Sequence, residues 1–160
     1  MEPYMPVPTA DAKSLEKLCD SLSPEACHLA HYCHARKLDM VATQICVAQG
    51  NLGTRVDLLL KTAAGTYIVV ELKRGCAKDW TEGKPMPFPF RSMDASSHSI
   101  YLLQALLNRR MFQNTYPTAK LCTQKPCMLL RLDHAGLHEY YPTSDMLRNE
   151  GKLAAVLRCV

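Results

Sequence analysis

The stretch from Arg55 to Lys73, RVDLLLKTAAGTYIVVELK, constrains this chain more than any other. Two runs rich in Leu, Val and Ile flank Ala63-Ala64-Gly65. A glycine in third place suits a three-residue hairpin loop, because that residue takes positive φ. Pairing Thr62 with Thr66 then predicts that Asp57 stands opposite Glu71. Side-chain alternation gives the same register. Val56, Leu58 and Leu60, with Ile68, Val70 and Leu72, make one wholly apolar face, the expected core. Asp57, Leu59 and Lys61, with Tyr67, Val69, Glu71 and Lys73, make the other. A slip of one residue would carry Asp57 in among the leucines.

Two facing carboxylates repel unless a cation lies between them, and a hard ion such as Mg²⁺ suits a carboxylate pair completed by a backbone carbonyl and water. Lys73 is two residues past Glu71, on the same face. A lysine there can orient or deprotonate an attacking water, or neutralise charge developing on a phosphate. The plainer alternative is a surface hairpin ending in a salt-bridged Glu-Leu-Lys edge.

The flanking sequence places this hairpin in an α/β frame. A helix is expected from about Asp11 to Leu22, and Ser23-Pro24-Glu25 restarts one that runs to about Lys37, with Ser23 as N-cap and Pro24 in first helical position. Strands are expected at Val41–Ala48, Arg55–Lys61 and Thr66–Lys73. Asp94 is the expected N-cap of a helix over Ala95–Asn114, followed by strands Cys127–Leu132 and Leu137–Tyr141 and a closing helix over Ser144–Leu157. The order helix–strand–strand–strand–helix–strand implies a central mixed sheet flanked by helices.

At 160 residues, with 48% hydrophobic and 21% charged residues, the chain can bury a core without staples. We expect one domain over 1–160, with an irregular arm at 1–10 and a proline-rich loop at 75–93. No apolar run approaches the roughly 20 residues of a membrane span, and the start lacks the basic-then-apolar layout of a signal peptide. The expectation is a soluble intracellular protein of the cytoplasm or nucleus with no membrane partner. Its eight cysteines are then expected reduced, as in a reducing compartment. A net charge of +4 with a pI of 8.6 is compatible with a polyanionic partner but does not select one.

Val56-Asp57, a strand hairpin, then Glu71-Leu72-Lys73, with thirteen residues between the acids, resembles the PD-(D/E)XK nuclease superfamily. In pattern it is most similar to RecB-type and phage-type exonucleases and small viral nucleases. The chain departs from the family in having Val56 where the name-giving proline sits. The likeness spans roughly residues 12–141. It implies a restriction-endonuclease-like core and metal-dependent hydrolysis of phosphodiester bonds, in DNA ahead of RNA, as in end, flap or junction processing during replication, repair or recombination. It also implies Mg²⁺, with Mn²⁺ as substitute, held by Asp57, Glu71 and the Leu72 carbonyl, with Lys73 acting on the water. The alternatives are an RNA-directed nuclease on the same core and a catalytically silent nucleic-acid-binding module.

Residue patterning and the resemblance together point to supporting positions. Ser97, Tyr101, Gln104 and Asn108 form a polar stripe on the helix after the loop, opposite Ile100, Leu103, Leu106 and Leu107. By the family's pattern Gln104 is its catalytic candidate, and a solvated helix face is the alternative. Glu25 is a candidate metal ligand through water, and otherwise a first-turn acid complementing the helix dipole. Arg74, Lys78, Trp80, Lys84, Arg91 and Tyr101 are candidate nucleic-acid contacts, since aromatics interleaved with cations can stack on bases and track phosphates. The competing reading is a loop that packs its aromatics on its own sheet. Cys27, His28, His31, Cys33 and His34 do not match a paired zinc spacing, so structural zinc is not expected there.

Overall fold

The computed structural model describes residues 12–75, 80, 83–87 and 90–153. The expected arm at 1–10 and the start of the first helix at Asp11 lie outside them. Chain order is α1 (Ala12–Cys19), α2 (Pro24–Ala35), β1 (Leu38–Gln49), β2 (Leu52–Thr62), β3 (Tyr67–Arg74), α3 (Ser97–Thr115), β4 (Cys127–Asp133), β5 (Gly136–Tyr140) and α4 (Ser144–Arg148). The strands form one sheet in the order β1-β2-β3-β4-β5. β3 and β4 are parallel and the other neighbours antiparallel. A parallel pair needs a crossover, and α3 supplies it. The protein is thus α/β, a five-stranded mixed sheet flanked by helices.

Local chemistry fixes the joints. The Ser23 hydroxyl accepts from the Ala26 N–H at 3.3 Å, with Pro24 at N1, a cap worth about 1 kcal/mol. In the hairpin, Thr62 N–H donates to the Thr66 carbonyl at 2.8 Å, and Gly65 N–H donates back to Thr62 at 2.8 Å. Gly65 has φ +79°, as the turn requires. Ser96, not Asp94, caps α3, accepting from Ser99 N–H at 3.2 Å. Asp94 instead bridges to Pro85, tying the loop back on itself. The expected closing helix is interrupted: α4 breaks at Arg148, with a turn at Asn149 before helical backbone resumes over 150–153, and its expected end at 154–157 lies outside the described residues.

Both faces of the sheet are buried, where one core face was expected. Leu58, Leu60, Ile68, Val70, Met128 and Leu130 pack with Cys33 of α2. On the reverse, Leu59, Val69 and Leu129 pack with Leu102, Ala105 and Leu106 of α3, and with Met86, Phe90 and Met93 of the loop. A strand paired on both sides and covered on both faces reads as a continuous apolar run, and β4 is buried from Cys127 to Leu132 for that reason. Val56, expected beside Leu58, lies in the cluster under α3 instead. The β2–β3 ladder runs only from Leu58↔Val70 to Lys61↔Tyr67, and strict alternation lapses where β2 leaves β3.

Tethering of α1 to α2 departs from the expectation of reduced thiols: Cys19 and Cys27 form a disulfide with α-carbons 5.1 Å apart. The tight α1–α2 turn sets that spacing, well inside the reach of a bridge. Among the described residues, Cys33, Cys46, Cys122 and Cys127 are free thiols.

Candidate active site

Where β2 parts from β3, the Asp57 side chain fills the opening. Its Oδ2 accepts from the Leu72 N–H at 2.9 Å, so a carboxylate stands where a β2 carbonyl would continue the ladder. Its Oδ1 accepts from Gln44 Nε2 at 3.2 Å. Gln44 has φ +53°, an uncommon backbone conformation for a non-glycine residue. It lies on β1 beyond a bulge between Met40 and Ala42. Sequence reading took β1 as a regular strand and missed this residue. A bulge beside a cluster of polar groups re-aims a side chain.

Glu71 points to the α3 side and is 1% exposed. The Lys73 ammonium donates to its Oε1 and lies 3.9 Å from Asp57 Oδ2. Asn108 Nδ2 donates to Glu71 Oε2 at 3.0 Å. Asp57, Glu71 and Lys73, grouped from the sequence, therefore meet at one point, and Lys73 contacts both acids. Burial pushes the Glu71 carboxyl above its ordinary range, and the charge of Asp57 adds to this, while hydrogen bonds from Lys73 and Asn108 oppose it. Two carboxylates against one ammonium leave a net negative charge in a half-buried recess, a donor set suited to a hard divalent cation.

From α3, Asn108 rather than Gln104 reaches the carboxylates. Within the stripe Ser97–Tyr101–Gln104–Asn108, the solvated-face alternative fails for Asn108, which is 1% exposed. Ile100, expected on the apolar side, is 47% exposed. The helix is rotated so that Leu102, Ala105, Asn108 and Phe112 meet the sheet. Tyr101 lies under the Lys73 ammonium, 4.8 Å from ring centre to Nζ.

Glu25 does not join this group. Its carboxylate is 2.5 Å from Arg74 Nη2, so it pairs with a residue that alternation places on the opposite face of β3 from Glu71 and Lys73. The same contact engages Arg74, a candidate nucleic-acid residue. Trp80 packs on its own domain: Arg131 stacks over its ring at 4.4 Å, and Tyr140, His98 and Tyr101 surround it at 5.4, 5.6 and 6.2 Å. Arg131 pairs in register with Lys73 across β3–β4 and holds Asp133 at 3.0 Å. Sequence reading passed over it, although an arginine inside the apolar run CMLLRL is itself a signal. Lys84 and Arg91 are exposed, and Lys78 lies outside the described residues.

No family model matches this chain, and no curated protein does. A solved structure, that of SSO0001, aligns with 88% of the chain at 15% identity and a TM-score of 0.30. The chain spans 66% of that protein's length. Among the described residues, no helix is long and apolar enough to cross a membrane.

Proposed function

We propose that this protein is a metal-dependent phosphodiesterase acting on nucleic acid, with DNA as the expected substrate, on a restriction-endonuclease-like core. One observation carries the reading: Lys73 contacts Asp57 and Glu71 together, at the place where β2 and β3 diverge. The resemblance of Val56-Asp57 … Glu71-Leu72-Lys73 to PD-(D/E)XK nucleases supports it.

The Asp57 and Glu71 carboxylates, with the Leu72 carbonyl, are the groups that would hold Mg²⁺ or Mn²⁺. When bound, such an ion supplies Lewis-acid polarisation of a phosphoryl oxygen and a more acidic water. Gln44 and the Leu72 N–H fix the Asp57 carboxylate through one hydrogen bond to each oxygen. Asn108 holds Glu71 from the helix side. Lys73 orients the attacking water and balances charge building on the phosphate. Its place over the Tyr101 ring keeps the ammonium from swinging away from the acids.

The test is a panel of fluorescent single-stranded, duplex and flapped DNA and single-stranded RNA, incubated with the full chain in Mg²⁺ or EDTA. Mg²⁺-dependent cleavage that Lys73→Ala abolishes supports the assignment. Binding without cleavage in every arm points to a silent nucleic-acid-binding module. Cleavage unchanged in Lys73→Ala removes the assigned site.

A further inference from the structure

Where the end of α1 meets the first turns of α2, three donors that the nuclease reading does not use come together. Cys19 ends α1, while Cys27 and His31 lie one turn apart on α2. One ligand atom from each falls within 4.8 Å of the others, and Cys19 Sγ is 3.6 Å from His31 Nε2. Among the described residues, this is the only group of three or more His, Cys, Asp or Glu side chains so arranged. The sequence cluster Cys27–His34 lacks a zinc spacing because its third donor comes from another helix, eight residues before Cys27.

We propose that the reduced protein binds one Zn²⁺ through Cys19, Cys27 and His31, with water in the fourth position, and that this site and the Cys19–Cys27 disulfide are alternative states of one clasp. Zinc takes sulfur at about 2.3 Å and imidazole nitrogen at about 2.0–2.1 Å in tetrahedral array, which puts ligand sulfur and nitrogen about 3.5 Å apart. The Cys19–His31 separation of 3.6 Å already meets that edge. The i, i+4 spacing of Cys27 and His31 puts both on one helix face, so α2 offers two ligands and α1 one. Two thiolates and an imidazole are a soft set that selects zinc over the magnesium expected at the carboxylates.

The exchange balances. A dithiol reductant gives two electrons and two protons to the Cys19–Cys27 bond and leaves as its own disulfide. Zinc then displaces the two thiol protons, which pass to solvent, and His31 binds as the neutral ring. α1 packs against α2, so in either state the clasp fixes α1 to the body, and the reduced, metal-free chain is the one in which α1 is untethered.

The experiment titrates the full chain with Co²⁺ as an optical stand-in and then with Zn²⁺. Reduced wild type, oxidised wild type, Cys19→Ser, His31→Ala and His28→Ala are compared, each checked for folding by circular dichroism. His28 is the control because it lines the recess with Arg74 and Asp133 instead. Reduced wild type and His28→Ala are expected to bind about one Co²⁺ per chain with thiolate-to-cobalt charge-transfer and four-coordinate bands that Zn²⁺ bleaches. Oxidised wild type, Cys19→Ser and His31→Ala should bind at least tenfold more weakly, since even outer-shell changes cost about that much. Because oxidised wild type carries no substitution, that arm holds even if a variant misfolds. Hydrogen exchange over α1 should be slow in the oxidised and zinc-loaded forms and fast in the reduced metal-free form. Reduced wild type without thiolate–cobalt bands, or oxidised protein or His31→Ala binding as tightly as reduced wild type, overturns the proposal.

Discussion

Replacing Asn108 with alanine tests whether α3 holds the candidate site. Asn108 is buried, donates to Glu71 Oε2 at 3.0 Å, and its own Oδ1 has no partner among the described residues. Removing a hydrogen bond to an ionised group costs about 1.5–3 kcal/mol, and removing an unpaired buried oxygen returns roughly 1 kcal/mol. Asn108→Ala should therefore destabilise the protein by about 0.5–2 kcal/mol. For a chain of this size that is a fall in Tm of about 1–8 °C. Urea unfolding in EDTA reads this as a lower midpoint at unchanged slope. Gln104→Ala, one turn earlier and partly exposed, is the matched control and should stay within about 0.5 kcal/mol of wild type. Asn108→Asp puts a third carboxylate into the group of Asp57 and Glu71 and should be the worst of the three. If Asn108→Ala costs no more than Gln104→Ala, the hydrogen bond to Glu71 does not support the site and the argument from α3 fails.

Other substitutions probe the remaining features. Asp57→Asn and Lys73→Met should each lower Mg²⁺-dependent cleavage by roughly a hundredfold or more in a gel assay of flapped DNA, the scale of a lost acid–base or charge-stabilising group. Because the folded state raises the Glu71 pKa, chiefly by burial, its contribution to stability is present below the ordinary glutamate value and lost as pH climbs through the raised one. Glu71→Gln, measured metal-free by urea unfolding, should therefore gain on wild type as pH rises across that window, and a constant difference would contradict the buried charge. A Cβ on Gly83 would come within 2.5 Å of the Ala95 carbonyl carbon and 2.6 Å of the Ser96 nitrogen, so Gly83→Ala should cost about 1–3 kcal/mol by calorimetry. Iodoacetamide should label exposed Cys46 well before Cys33 and Cys127, whose thiols burial pushes up to about 11 and about 12.

Legibility in the sequence followed interaction range. The hairpin could be read because turn chemistry and period-two alternation are local, and they fix the register that brings Asp57 toward Glu71. The Ser23 cap was readable for the same reason. The orientation of α3 was not: leucines lie on several of its faces, so the stripe with Asn108 could be taken for the wet side until the sheet was in place. Gln44 owes its role to a bulge in β1, and that bulge depends on pairing with β2. Cys19 joins Cys27 and His31 only through the angle between two helices, which no spacing encodes. The loop looked like an extended nucleic-acid surface from its prolines and aromatics. Met86, Phe90 and Met93 instead complete the core under α3, an apolar demand set by the uncovered sheet face.

The hydrogen bond from the Leu72 amide to Asp57 has an evolutionary corollary. An acid that also closes the gap between two strands is shielded from silent loss, because most replacements would loosen the sheet as well as disarm the recess. A lineage abandoning the chemistry would pass most easily through asparagine, which keeps an acceptor for the amide, or through changes at Lys73. Asparagine at position 57 is thus the mark to seek in a relative that keeps this shape and lacks the proposed cleavage.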